Sequence, residues 1–446
     1  MKKLIYIMFL FLPVMASAQS YTLQKCLELA IKNSYDLKNS NLDFQMADQT
    51  RKEAFTKYFP SVSANGAAFD ANNYFIDEKV DLTPFAAVFA HMGLDPATLG
   101  LPSSIPIKKI NNGVVGLVSA VQPLYTGGQI INGNRLAKVG VDVSRLKISL
   151  SENEVISKTE EYFWQIVSLK EKLNTLDVVG RQLEELHKTA GAAVAAGVTT
   201  RNDLLRVELQ QQNIESSRIK AENGIKVYKL LICNLTGLEK EGFDITVSDF
   251  SNVKNPDEYF IATKEGIKGR TETKLLEKSV EAASLQHKMA IGKNMPVVAA
   301  GAGYLYHNML DKDAKIGMVF ATVSIPLSSW WGGSHEIRRE KYNQEKAENQ
   351  KKNMEEMMAV DIETKWDQLV ESFLQVQVSK KSIESATENL RISNDYYKAG
   401  TVSLTNLLEA QTLMQQSRDQ YTDACTSYYL KLTPYLQATG RNSPVN

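Results

Sequence analysis

"YYKAGTVSLTNLLEAQTLM", residues 396–414, sets a glycine inside a stretch otherwise made of good helix formers. "AVAAGVTTRNDLLRVELQ", residues 193–210, does the same. A shift of 203 residues places Gly197 on Gly400, Pro123 on Pro326, Leu204-Leu205 on Leu407-Leu408 and Thr236-Gly237 on Thr439-Gly440, with no gap. Upstream the two halves match at a shift of 236, where "AIKNSYDLKNS" meets "GIKGRTETKLL" and "FPSVSANG" meets "MPVVAAGA". The difference, 33 residues, is extra chain between Pro60 and Pro123. The sequence is a duplication whose first half carries one insertion.

Proline placement shows what is duplicated. After Pro13, prolines fall at 60, 84, 96, 102, 106 and 123, at 256, 296 and 326, and at 434 and 444. None occurs from 124 to 255 or from 327 to 433. Proline costs about 3 kcal/mol in a helix interior, so these two runs, rich in Leu, Glu, Lys, Gln and Ala, read as long helices. Leu169, Leu173, Leu176, Val179, Leu183 and Leu186 step by three and four, as do Ile362, Trp366, Leu369, Phe373 and Val376, and Ile383 and Leu390 keep the seven-residue beat. That is coiled-coil spacing. At Gly197 and Gly400 each run turns back. Glycine takes the left-handed conformation after a helix end without a Cβ penalty. Thr200 with Asp203 forms a capping box for the first returning helix, and Ser403 with Asn406 stands in the same place in the second.

A helix leads up to Pro60 or Pro296 in each half, and strand-like segments follow. They are expected at about 61–72 and 111–124 around a long loop at about 73–110, and at about 297–307 and 315–327 around a short one. In the long loop, Thr83-Pro84 and Asp95-Pro96 each suggest a short capped helix. Each strand is about ten residues, enough to cross a bilayer at a tilt; a soluble hairpin packed on the helices is the alternative. If the strands are in a membrane, four are too few. A closed barrel needs about eight, and lipid does not tolerate open edges, so several chains must share one barrel. The helical hairpins are expected at about 128–237 with its tip at 197 and at about 332–440 with its tip at 400. The first repeat then covers 19–237, a linker 238–260, and the second repeat 261–446.

The chain opens "MKKLIYIMFLFLPVMASAQS". Lys2 and Lys3, the apolar run Leu4 to Val14 and the small residues Ala16-Ser17-Ala18 have the form of a signal peptide at 1–18, cleaved before Gln19. The run is short for a transmembrane helix, and no cysteine stands where a lipid anchor would attach. Cleavage takes Lys2 and Lys3 from 51 basic residues, leaving 49 against 51 acidic ones, a net charge of −2. This balance argues against nucleic acid as a partner. Cys26, Cys233 and Cys425 do not form a disulfide framework or metal pattern. His91, His187, His287, His307 and His335 lack metal-ligand spacing, and there is no HExxH, GxSxG, P-loop or CxxC. No catalytic residue, metal or cofactor is expected. Gly301-Ala302-Gly303 reads as close strand packing, and Trp330-Trp331 as either an interfacial belt or a buried corner.

The entry "YTLQKCLELAIKNSYDL", the junctions "QPLYTGGQ" and "IPLSSWWGG", and the tips "AAGVTTRNDLL" and "KAGTVSLTNLLEAQ", in this order and twice over, resemble the TolC-like outer membrane efflux proteins over nearly the whole mature chain. The resemblance implies a mainly α fold with β. Three chains would form an α-helical barrel of long coiled-coil hairpins in the periplasm, joined to a shared 12-stranded outer-membrane β-barrel, four strands per chain. An equatorial region would draw on residues near 238–260 and both chain ends. The function implied is passive conduction in a tripartite efflux or type I secretion system. Its partners would be a periplasmic adaptor and an inner-membrane pump, either a proton-driven RND or an ATP-driven ABC-type transporter. A periplasmic adaptor, which also carries a coiled-coil hairpin, is the alternative, but it would carry one hairpin and no whole-chain duplication.

The resemblance also assigns roles at the tips. Gly197, Val198, Thr200, Leu204, Gly400, Thr401, Ser403 and Leu407 would dock the adaptor. Asp203, Tyr397, Asn406 and Glu409 would line or tie the gate. The family often has acids six and nine positions after the second glycine, where this chain has Asn406 and Glu409. Its link from the acid at Asp203 to a base two after the second glycine fails here, because that residue is Val402. Arg201, Arg206 and Tyr397 are alternative partners for Asp203, and a helix-capping role is an equal one.

Overall fold

The computed structural model describes residues 19–93, 102–239, 243–247, 250–309, 313–327 and 329–441. The proposed leader at 1–18 and the second short helix at Asp95-Pro96 lie outside the described residues. The chain divides into two compact units. One comprises Met1–Met46, Val141–Val280 and Ala347–Asn446, and the other Ala47–Gly140 and Glu281–Lys346.

The long helices have the lengths the proline-free runs require. α4 (Gln129–Ala195) has 67 residues, about 100 Å at 1.5 Å per residue, and α5 (Arg201–Thr236) returns from it. α8 (Ser329–Lys398) and α9 (Leu404–Ala438) repeat the arrangement. The α4 residues that step by three and four in the sequence form the core near the tips. Leu176, Val179, Leu183 and Ala190 pack with Val207 and Ile214 of α5 and with Leu404 of α9, so the two hairpins share one core there. Further along, Ile362, Leu369 and Val376 of α8 meet Cys425, Tyr428, Leu432 and Tyr435 of α9.

The helices before Pro60 and Pro296 are each broken, where the sequence suggested one. α1 (Leu23–Asn33) and α2 (Tyr35–Thr56) part at Ser34, which has ψ 132°. α6 (Thr263–Gly269) and α7 (Thr271–Lys293) part at Arg270, with ψ 139°. The breaks are equivalent by the shift of 236, and each receives the end of a returning helix. Asn33 Nδ2 donates to the Thr236 carbonyl at 2.5 Å. In the second copy Gly269 takes the place of that asparagine, against Gly440. Arg270 pairs there with Glu272 at 2.9 Å and Asp361 at 2.8 Å.

Residues 19–21 and the linker meet in a small parallel sheet. β1 (Gln19–Tyr21) pairs with β6 (Phe243–Ile245). Asp244 of β6 holds this sheet to the first hairpin through Lys170 of α4 at 2.6 Å and Lys229 of α5 at 3.1 Å. Burial raises the Asp244 carboxyl, but hydrogen bonds from the two ammonium groups outweigh it and leave it below its ordinary value. The linker continues over α9, whose Tyr428 hydroxyl donates to the Lys254 carbonyl at 2.8 Å, while the Ile261 amide donates to the Tyr435 hydroxyl at 3.1 Å. Trp164 of α4 stacks on Tyr429 of α9 at 4.0 Å beneath it.

The second unit holds a four-stranded antiparallel sheet. β2 (Ser61–Asp70), β5 (Asn112–Thr126), β7 (Val297–His307) and β8 (Ala314–Ser324) lie in the order β2-β5-β7-β8. The described residues of the insertion, expected as a long loop because it interrupts the first strand hairpin, form a second ribbon. β3 (Ile76–Asp81) and β4 (Ser104–Lys109) pair antiparallel and carry α3 (Thr83–His91) between them. The ribbon prolongs the β2–β5 ladder: Ala71 N donates to Asn111 O at 2.7 Å and Phe75 N to Ile110 O at 2.9 Å before the new register begins. Ile110 has φ +64°, a conformation β-branched residues avoid, and marks the irregularity between the two ladders.

Candidate functional site: the sheet and the hairpin tips

Residues paired across antiparallel strands share a face, so the sheet's register sorts its side chains. One face carries Val62, Ala64, Gly66 and Ala68 of β2, and Val114, Gly116, Val118 and Ala120 of β5. It continues with Ala300, Ala302, Tyr304 and Tyr306 of β7 and with Gly317, Val319, Ala321 and Val323 of β8. This face is apolar across its middle, with the Tyr304 and Tyr306 hydroxyls, Lys315, Asp70 and Asn112 towards one end and Gln122 at the other, yet Val319 is 88 % and Val62 70 % exposed. The other face mixes Ser61, Ser63, Asn65 and Ser119 with Leu117, Leu305 and Met318. Gly301 lies on that face, where an added Cβ would meet the Phe320 ring at 2.5 Å, so it serves close packing. Trp331, 79 % exposed, does not pack in a buried corner; the Trp330 side chain lies outside the described residues. Among the described residues β2 and β8 each have one unpaired edge. No described helix is long and apolar enough to cross a membrane, which says nothing of strands.

At the first tip Gly197 has φ +73°, with the Val198 amide reaching back to the Ala193 carbonyl at 2.9 Å. At the second, Gly400 has φ +72° and the Thr401 amide bonds the Tyr396 carbonyl at 2.9 Å. Both are the glycine-ended helix closure in which the amide two residues on satisfies an orphan carbonyl. Thr200 and Asp203 complete a reciprocal capping box, while Ser403 accepts from the Asn406 amide at 3.4 Å. The two hairpins are joined by Arg206, which donates to Thr405, and by Gln411, which donates to Gln182 at 3.1 Å. Neither bridge was signalled by spacing, since each joins residues about two hundred apart. Gln182, Leu186, Leu390, Tyr397, Leu407 and Gln411 line a groove of about 420 Å³ between the hairpins.

The residues expected at the tips sort by exposure. Gly197, Val198, Thr200, Gly400, Thr401 and Ser403 are on the surface, Val198 at 79 %. Leu204 is half-buried against the shared core, and Leu407 is only 5 % exposed. Leu407 therefore packs within the chain. Asn406 and Glu409 are exposed, and Glu409 makes no ion pair among the described residues. Within this chain Asp203 takes the helix-capping role. Its Oδ2 accepts from the Thr199 hydroxyl at 2.5 Å and the Thr200 hydroxyl at 3.0 Å, not from Arg201, Arg206 or Tyr397. The Thr199 hydrogen bond leads in lowering its pKa. Tyr397 is half-buried in the shared core, and burial, helped by the nearby Asp203 charge, raises its hydroxyl. No group of His, Cys, Asp and Glu among the described residues is arranged to hold a metal ion.

A duplicated pair of long helical hairpins, a four-stranded antiparallel sheet of order β2-β5-β7-β8 and a small parallel β1–β6 sheet together define the TolC-like outer-membrane channel fold. Three solved structures illustrate the match. The CmeC outer membrane channel of Campylobacter jejuni aligns over 94 % of this chain and 85 % of its own, with TM-score 0.76 and 16 % identity. CusC, in a study of folding and transmembrane channel formation, aligns over 94 % of this chain and 92 % of its own, with TM-score 0.78 and 12 % identity. The open-state MtrE outer membrane channel of Neisseria gonorrhoeae aligns over 94 % and 89 %, with TM-score 0.73 and 13 % identity. At such identities the likeness is one of fold. No protein-family model and no curated protein matches the sequence.

Proposed function

We propose that this chain is one of three copies of an outer-membrane channel that passively conducts substrates delivered by an inner-membrane pump through a periplasmic adaptor. The observation that carries the reading is the sheet: one face with an apolar band across its middle and polar residues only towards its ends, exposed, and bounded by two edges unpaired among the described residues. In water that face lacks a core, and in lipid open edges are not tolerated. Edge-to-edge pairing of β8 with β2 of the next copy removes both problems, and three copies give a twelve-stranded barrel, within the range of outer-membrane barrels. The helices too carry exposed apolar seams. Val360, Leu374, Val378 and Ile392 on α8 are all exposed and fall fourteen, four and fourteen residues apart. Leu205, Leu209, Ile219 and Leu230 form a second exposed apolar seam on α5. Such seams on a coiled-coil hairpin are surfaces for neighbouring helices.

Conduction is passive in this reading because the sequence has no nucleotide-binding motif. The tips, with Gly197, Val198 and Thr200 on one hairpin and Gly400, Thr401 and Ser403 on the other, present the docking surface, and Glu409 faces the constriction. A periplasmic adaptor fits less well, because 94 % of the chain aligns with channel structures. The test is membrane fractionation followed by electrophoresis without boiling. A heat-sensitive trimer in the outer-membrane fraction, with voltage-clamped conductance after reconstitution, is the expected result. A monomer in the soluble periplasmic fraction overturns it.

A further inference from the structure

The insertion carries an apolar surface that stays exposed among the described residues. Ile76, Val80, Ile105 and Ile107 share one face of the β3–β4 ribbon with Glu78 and Lys109, while Asp77, Lys79 and Asp81 take the other. At its end α3 exposes Phe85 and Val88, each 56 % exposed, and Met92 just beyond it is 69 % exposed. Asp81 fixes the start of this helix by accepting from the Thr83 amide at 2.8 Å. A helix that lies on a lipid surface carries Lys or Arg on its polar side; α3, TPFAAVFAH, has neither. Its uncovered face is suited to protein.

We propose that α3 meets the α3 helices of two further copies over the outer mouth of the channel, closing it from outside. This rests on the trimeric channel reading. A twelve-stranded barrel with strands about 4.8 Å apart and tilted about 40° has a radius of roughly 12 Å. The ribbon continues the β2–β5 ladder for six further residue pairs, a reach of about 20 Å at about 3.3 Å per residue. Three ribbons leaning inward therefore reach the axis with α3 at their ends. Only the first half of the duplication carries the insertion, so a trimer places three such helices at equal intervals, one for each neighbour to cover. The small apolar area on each helix makes the closure reversible.

The test uses full-length Val88→Cys in intact cells, treated with a short bismaleimide. The three native cysteines are buried and should not react. Dimers that survive denaturation are expected for Val88→Cys and not for Lys79→Cys, whose side chain is on the opposite face. Phe85→Ser with Val88→Ser should raise uptake of a large, normally excluded antibiotic several-fold. A trimer on unboiled gels with no Val88→Cys cross-link overturns this inference and leaves the channel reading intact. Loss of the trimer in the unmodified protein overturns both. Cross-linking to a protein of another mass overturns the assignment of a second copy as the occupant.

Discussion

Replacing Gly400 by tryptophan separates what the tip turn does for the fold from what it does for a partner. A Cβ at this position meets no atom within 4 Å, so bulk costs nothing sterically within the chain. The cost is in the backbone: φ is +72°, and an L-residue held there loses about 1–2 kcal/mol. Gly400→Ala carries the same backbone cost without the bulk. Thermal unfolding of the purified proteins in detergent, followed by circular dichroism, should show both variants destabilised by about that amount. Export, measured as restored resistance in a strain lacking the channel, should fail only for Gly400→Trp, because only that side chain fills the docking surface. Two outcomes refute the reasoning. Normal export by Gly400→Trp removes docking from the second tip. Equal loss in Gly400→Ala assigns the effect to turn geometry.

Gly440→Ala should cost more than Gly400→Ala, because its Cβ meets the Gly269 backbone at 2.5 Å and no side chain can yield; an extra 1–3 kcal/mol, roughly, is expected from overpacking, read in the same melts. Asp203→Ala should lose about 1 kcal/mol of helix capping and leave single-channel conductance unchanged, since its carboxylate is engaged by Thr199 and Thr200. Glu409→Gln should abolish a mild cation preference in planar bilayers, and an unchanged reversal potential would place Glu409 away from the constriction. Asp244 gives a pH dependence: its folded pKa is depressed, so its stabilisation of the β1–β6 sheet is complete above the unfolded value of about 3.9 and is lost as pH falls through the folded value. Hydrogen exchange of the Thr246 amide, which bonds the Tyr21 carbonyl, should accelerate in that acid window in the wild type and not in Asp244→Asn.

The duplication made most of the fold legible. Sequence matches at shifts of 203 and 236 correspond in the structure to α4 with α8, α5 with α9, and β2 with β7. Gly197 and Gly400 could be read because a positive φ has few other solutions. What escaped notice lacks a local signal. β1 and β6 are three residues each and pair across more than two hundred positions, so neither has a period to detect. The breaks at Ser34 and Arg270 fall within helix-forming sequence and are set by the returning helix ends. The β3–β4 ribbon was masked by Pro102 and Pro106, although Ile105 and Ile107 alternate as an edge strand would. At the tips, the sequence shows which residues lie near the turn but not which way they face: Leu407, given to docking by the resemblance, is only 5 % exposed.

The two tips are copies in backbone and strangers in chemistry. The first is closed by an ionised carboxylate gripped by two threonines, the second by a neutral serine–asparagine pair, and Val198 has Thr401 as its counterpart. An assembly of three chains therefore offers six helical ends in two alternating kinds. A partner that binds one kind well has no reason to bind the other equally, so titration should resolve two affinity classes, three sites in each. Any partner filling all six must either be two-faced or tolerate a mismatch at every second seat. In a three-chain assembly, the duplication gives a ring with the geometry of six and the selectivity of three.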